Sequence, residues 1–268
     1  MCACAPNNSN EEELSAEQKS FNLILEKVNE LEILSTAYNS ENSTLRALIY
    51  IRSDRYNTSR WQMIGGQGDA EFDAYVLQNQ TKSVSELKTL PSFVLPKTKE
   101  ESDFVHMFAT LNVLYAQEGS AMHDLAGWGG DLCQLAVDAK NSKKSGQELK
   151  KYVESIFNSE TGGFNNQDVC ADLDAVNMAV LLKQNNSITT SLREYSNSLN
   201  SEERKADFIQ NVFGSKYSSQ EQLKQDMLSR VNSNFLLNLW GQQNGLNFTD
   251  DSTILEVCCD VFAGYLMS

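Results

Sequence analysis

Only three prolines interrupt the 268-residue chain, so helices can run almost unbroken. No segment shows the period-two alternation of a half-buried strand. No apolar run approaches the roughly 18 residues needed to cross a bilayer. The N-terminus lacks the charged and apolar regions of a secretory leader. Basic residues are outnumbered 22 to 36, leaving a formal charge of −14. Such a field repels phosphate backbones, which argues against nucleic acid and for a cationic partner. Six cysteines occur, Cys2, Cys4, Cys133, Cys170, Cys258 and Cys259, with no C-x-x-C pair. That excludes the usual structural zinc and thioredoxin-like motifs. Phosphate-loop, H-E-x-x-H, G-x-S-x-G and EF-hand signatures are missing too. GGQGD at 65–69 has no preceding strand and no lysine, so it reads as a turn.

What is present is helical periodicity. Ser15 with Gln18 forms a capping-box start, followed by Phe21, Ile24, Val28, Leu31 and Leu34 at 3–4 spacing. Leu45, Leu48 and Ile49 mark a second helix. Asp69 caps a third, and Pro91 and Pro96 bracket an extended connector. Phe104, Met107, Phe108, Leu111 and Leu114 form a strong stripe, and Val169, Leu173, Val176 and Val180 another. The expectation is an all-α fold of about nine to eleven helices over residues 15–268, with a subdivision near 91–96 but a shared core. Residues 1–14 read as a polar tether, like that of a mature bacterial lipoprotein carrying lipid on Cys2 or Cys4, or else as a frayed tail. Buried thiols are expected for Cys133, Cys170, Cys258 and Cys259, with one disulfide among them left open if the protein is exported.

Chemistry gathers in HDLAGWGGDLCQLAVD, residues 123–138. Asp124, Trp128, Asp131 and Leu135 fall at i, i+4, i+7 and i+11 of a helix, which places them on one face. A carboxylate beside the core needs a partner or a raised pKa. Gly127, Gly129 and Gly130 clear space for a second helix or a ligand. On a later helix Asp168, Asp172 and Asp174 cluster around Cys170. Only two histidines exist, and His106 borders its apolar stripe beside Ala109 and Thr110, while His123 sits at a helix start.

Asp131, Asp172 or Asp174, and His106 thus form the candidate catalytic set. Two carboxylates can divide acid and base roles in glycoside hydrolysis, or join histidine around a divalent ion that activates water. The competing reading makes these aspartates helix caps or arginine partners. Arg52 and Arg55, in YIRSDRY, would neutralise buried aspartates or grip a substrate, and Trp128 could line a groove with Trp61 and Trp240.

YIRSDRYNTSRW, HMFATLN, AGWGGDL and DLDAVNMA together resemble a set of large secreted or cell-surface proteins of Gram-positive bacteria, over residues 45 to 185 or so. The resemblance implies an extracytoplasmic location and brings no catalytic residues. The expected function is a hydrolase of a bacterial envelope or glycan polymer. The alternative is a non-catalytic acidic interaction domain.

Overall fold

The computed structural model describes residues 15–53, 69–79, 82–90, 93–95, 101–157, 166–198, 201–214 and 216–268. The tether with Cys2 and Cys4, the 65–68 turn, Arg55, Trp61, Pro91 and Pro96 lie outside these residues.

In chain order the helices are α1 (Ala16–Tyr38), α2 (Ser43–Ser53), α3 (Ala70–Asn79) and α4 (Phe104–Ala116). Next comes α5, residues 120–141, in which a π-helical turn, Leu125–Gly129, separates Ser120–Asp124 from Gly130–Asn141. Then come α6 (Gly146–Phe157), α7 (Asn166–Asn185), α8 (Ile188–Ser198) and α9 (Ser201–Phe213). The chain closes with α10 (Gln220–Ser233), α11 (Phe235–Gln243) and α12 (Ser252–Met267). The fold is all-α, and these twelve helices among the described residues exceed the expected range by one. The extra break is at Asn234, inside what reads as one periodic segment. Its side chain accepts from the Leu236 and Leu237 amides and so starts α11 as a new helix. Around the proline connector, β1 (Phe93–Val94) and β2 (Glu101–Ser102) form a short antiparallel pair that the sequence pattern does not signal.

Caps agree closely with the sequence. Ser15 accepts from the Gln18 amide, and Asp69 accepts from the Phe72 amide at 3.0 Å. Asp103 Oδ1 accepts from the His106 amide at 2.8 Å, which pins His106 into the first turn of α4. The face of α2 differs from expectation. Ala47, Leu48, Tyr50 and Ile51 are buried, whereas Leu45 and Ile49 are only half-buried.

α4 is buried from Phe104 to Leu114 and α7 from Val169 to Ala179. A helix buried on every side lies at the centre of a fold. These two run side by side in the same direction, since Asp172 meets His106 and Thr110, while Leu114 and Val176 lie together two turns on. One apolar core joins Phe21 of α1 to Leu266 of α12 around that pair, so both sides of the 91–96 connector share it.

Candidate metal centre

The first turns of α4 and α7 and the second half of α5 converge on one point. His106 Nε2 lies 3.1 Å from Asp172 Oδ1 and 4.0 Å from Asp131 Oδ2. His106 Nδ1 lies 3.5 Å from Asp168 Oδ1. Thr110 Oγ1 donates to Asp172 Oδ1 at 2.9 Å. One ligating atom from each of His106, Asp131 and Asp172 fits within a mutual distance of 4.8 Å. Asp168 and Asp172 share a face of α7 because they are four residues apart, and the N-terminal helix ends there favour negative charge.

The π turn aims Asp131. Gly130 donates its amide to Leu125 O, an i→i+5 bond that inserts one residue into the helix. One extra residue rotates the remainder of the helix by about 100°. Hence Asp124 and Trp128 face α9 and α10, where Trp128 packs against Phe213 with the rings tilted, while Asp131 faces α4 and α7. The single face expected for Asp124, Trp128 and Asp131 is therefore split. The glycines serve close packing. A Cβ on Gly127 would meet Val176 Cγ2 at 3.0 Å, and one on Gly129 would meet Leu237 Cδ1 at 2.7 Å and Asp124 O at 2.8 Å.

Electrostatically the cluster holds one imidazole against three carboxylates. Burial alone would lower the His106 pKa, but the charges of Asp131, Asp172 and Asp168 outweigh it and raise it to about 10. Burial, reinforced by the Asp172 charge, pushes the Asp131 carboxyl well above the usual carboxylate range, although His106 offsets part of the rise. Asp131 Oδ2 is sealed from solvent without a hydrogen-bond donor. Asp131 and Asp168 side chains each keep 18% of their surface exposed, so water reaches the edge of the cluster.

The geometry resembles a histidine–carboxylate metal centre. Ligands about 2.1 Å from an ion stand roughly 3–4 Å apart, near the spacing of this trio. A ligating histidine usually presents its other ring nitrogen to a carboxylate, and Asp168 stands at Nδ1. Thr110 fixes one Asp172 oxygen in the same supporting way. With one nitrogen and two carboxylates and no thiolate, the set suits a divalent ion such as Zn2+ or Mn2+.

The other candidates lie elsewhere. Asp174 is fully buried, paired with Arg204 at 2.7 Å and accepting from Tyr195 Oη at 2.5 Å. Standing two residues from Asp172, it points to another side of α7 and plays a structural part. Trp128 is fully buried and donates Nε1–H to Asp124 at 3.0 Å, so it is core and not a substrate wall. Trp240 is half-buried against the core. Arg52 is buried within α2 beside α4, and burial lowers its pKa, which removes it from any substrate. His123 Nε2–H donates to Gln117 O at 2.9 Å, apart from the cluster. Cys133, Cys258 and Cys259 are buried free thiols whose pKa burial raises, while Cys170 Sγ lies 3.8 Å from Tyr265 Oη. Sequence reasoning alone misses Asp168 as a member of the site, Thr110 as its hydrogen-bond support, and Arg204 as the partner of Asp174. The i, i+4 spacing of Asp168 and Asp172 is the usable signal.

No curated protein and no solved structure matches the chain. A family model does, over residues 108–268, a span that contains Asp131, Asp168 and Asp172 and begins just after His106. By that match the chain belongs to the family described as YkzU uncharacterised protein.

Proposed function

We propose that the chain is a divalent-cation-dependent hydrolase whose ion is held by His106 Nε2, Asp131 and Asp172. The observation that carries this reading is that one ligating atom from each of the three lies within 4.8 Å of the others, with Asp168 at the far nitrogen of the same imidazole. What favours an ion over an acid–base pair of carboxylates is that an imidazole nitrogen and an oxygen of each carboxylate converge on one point.

Charge supports the same reading. Protons on His106 and Asp131 leave the cluster at −1, and a divalent ion replacing both leaves it at −1 again. An ion bound by three protein ligands keeps a position for water and lowers that water's pKa, which supplies a nucleophile near neutral pH. Asp168 would hold the imidazole in the Nδ1–H tautomer, and Thr110 would hold Asp172 in place.

The substrate class we infer is a glycan or other envelope polymer, met outside the cell. Its support is the resemblance of YIRSDRYNTSRW, HMFATLN, AGWGGDL and DLDAVNMA to Gram-positive surface proteins. Lipid attachment at Cys2 or Cys4 belongs to the same proposal.

The test is release of soluble fragments from purified cell-wall material by metal-loaded protein, by chelated protein and by Asp131→Asn. The reading expects activity only in the loaded parent, with Asp131→Asn as stable as the parent. Equal release by all three, or none by the loaded parent, would leave a non-catalytic acidic interaction domain as the better account.

A further inference from the structure

A second concavity lies one to three turns beyond Asp172 along α7, roughly 6–16 Å down the helix axis. It measures about 190 Å³, and α4, α5, α7, α9 and α10 all contribute to its lining. Leu114, Val176, Ala179, Val180 and Val212 give it an apolar surface. Val180 explains itself here: it belongs to the apolar stripe of α7, yet it is 40% exposed because it borders this cavity.

Its charged lining is two cations, Lys183 and Arg230, against one carboxylate, Asp124, in a chain of net charge −14. Ser120, His123 and Asn211 complete the polar side. Asp124 is already satisfied. Its Oδ1 accepts from Trp128 Nε1 at 3.0 Å and from Arg230 at 3.3 Å. Arg230 also donates to Val212 O at 3.1 Å and Phe213 O at 3.2 Å, and lies 3.3 Å from Asp226, which is outside the lining. It is therefore a rigid wall whose charge is spent. Among the described residues Lys183 enters no ion pair, so its ammonium is the charge left over.

We propose that this cavity binds a small organic anion, its hydrocarbon body against Leu114, Val176 and Val212 and its acid group on Lys183. Apolar walls with polar groups at one side are the form of a small-molecule site, and a volume below the roughly 300–1,000 Å³ of larger ligand pockets limits the occupant to a small molecule. The site is separate from the metal cluster and stands or falls without it.

The test is calorimetric titration of the full chain with hexanoate and, as a neutral control, hexanamide. The proposal expects saturable one-to-one binding of hexanoate and binding of hexanamide weaker by about two- to fivefold, the scale of one exposed charge contact. Lys183→Gln should lose the same factor, and Val180→Glu should abolish binding. Both residues are exposed, so the variants should fold. Asp131→Asn should bind hexanoate normally, whatever becomes of metal binding. Absence of saturation, equal binding of hexanamide, or undiminished binding by Lys183→Gln would overturn it.

Discussion

Asp172 and Asp174 sit two residues apart on α7, both buried, and the structure treats them in opposite ways. Asp174 meets Arg204 at 2.7 Å, and Arg204 also donates to Cys170 O at 2.8 Å, so one cation balances one carboxylate. Asp172 meets an imidazole already shared with Asp131 and Asp168, and the neighbouring Asp131 Oδ2 is left without a donor. Three carboxylates around one histidine leave the cluster with more negative than positive charge, which a cation would balance. The first pair supports the fold. The second group leaves a buried carboxylate oxygen unpaired, which the proposed ion would satisfy.

The contrast can be broken experimentally, beginning with its strongest consequence. Arg204→Met leaves Asp174 buried without its cation and should cost about 3–5 kcal/mol, read as a fall in chemical-denaturation midpoint. Asp131→Asn puts a neutral amide in place of a carboxyl that burial already holds protonated, and should leave the midpoint nearly unchanged. If both variants destabilise equally, the two groups are alike and the distinction is lost.

The next effect is pH dependence without metal. The folded pKa of His106 is raised to about 10 from an unfolded value of 6.5. Stabilisation by its proton is therefore complete below about pH 6.5 and disappears as pH rises through 10. The raised Asp131 carboxyl acts in the same direction, since ionising it in the folded state is unfavourable. Melting temperature should fall over this window in the parent and fall less in His106→Gln. Metal affinity should rise over the same window, because the ion must displace the proton on His106.

Gly129→Ala comes third. Its methyl would meet Leu237 and the Asp124 carbonyl at 2.7–2.8 Å, costing about 1–3 kcal/mol by overpacking. Because the π turn aims Asp131, metal affinity should fall along with stability. Smallest is Thr110→Val, which removes one donor from Asp172: about 1 kcal/mol in stability and roughly tenfold in metal affinity.

The helices, their caps and three members of the cluster are legible in the sequence, because those depend on local spacing and on how scarce histidine is. The position of Asp131 on its helix is not. An ideal wheel puts Asp131 with Asp124 and Trp128, and only the π turn separates them, a feature that needs the packing of Gly127 on Val176 and Gly129 on Leu237. Sequence proximity also joins Asp174 to Asp172, although a two-residue step turns a helix by about 200°. Arg204 is invisible as a partner because the contact spans thirty residues. Val180 looks like core because periodicity does not register a cavity.

The most direct measurement is calorimetric titration of the metal-stripped chain with Zn2+ and with Mn2+ near pH 8. The account predicts one ion per chain for at least one of them, with binding lost in Asp131→Asn and Asp172→Asn while both variants keep their fold. No saturable binding of either ion, or binding that survives in both variants, would contradict it.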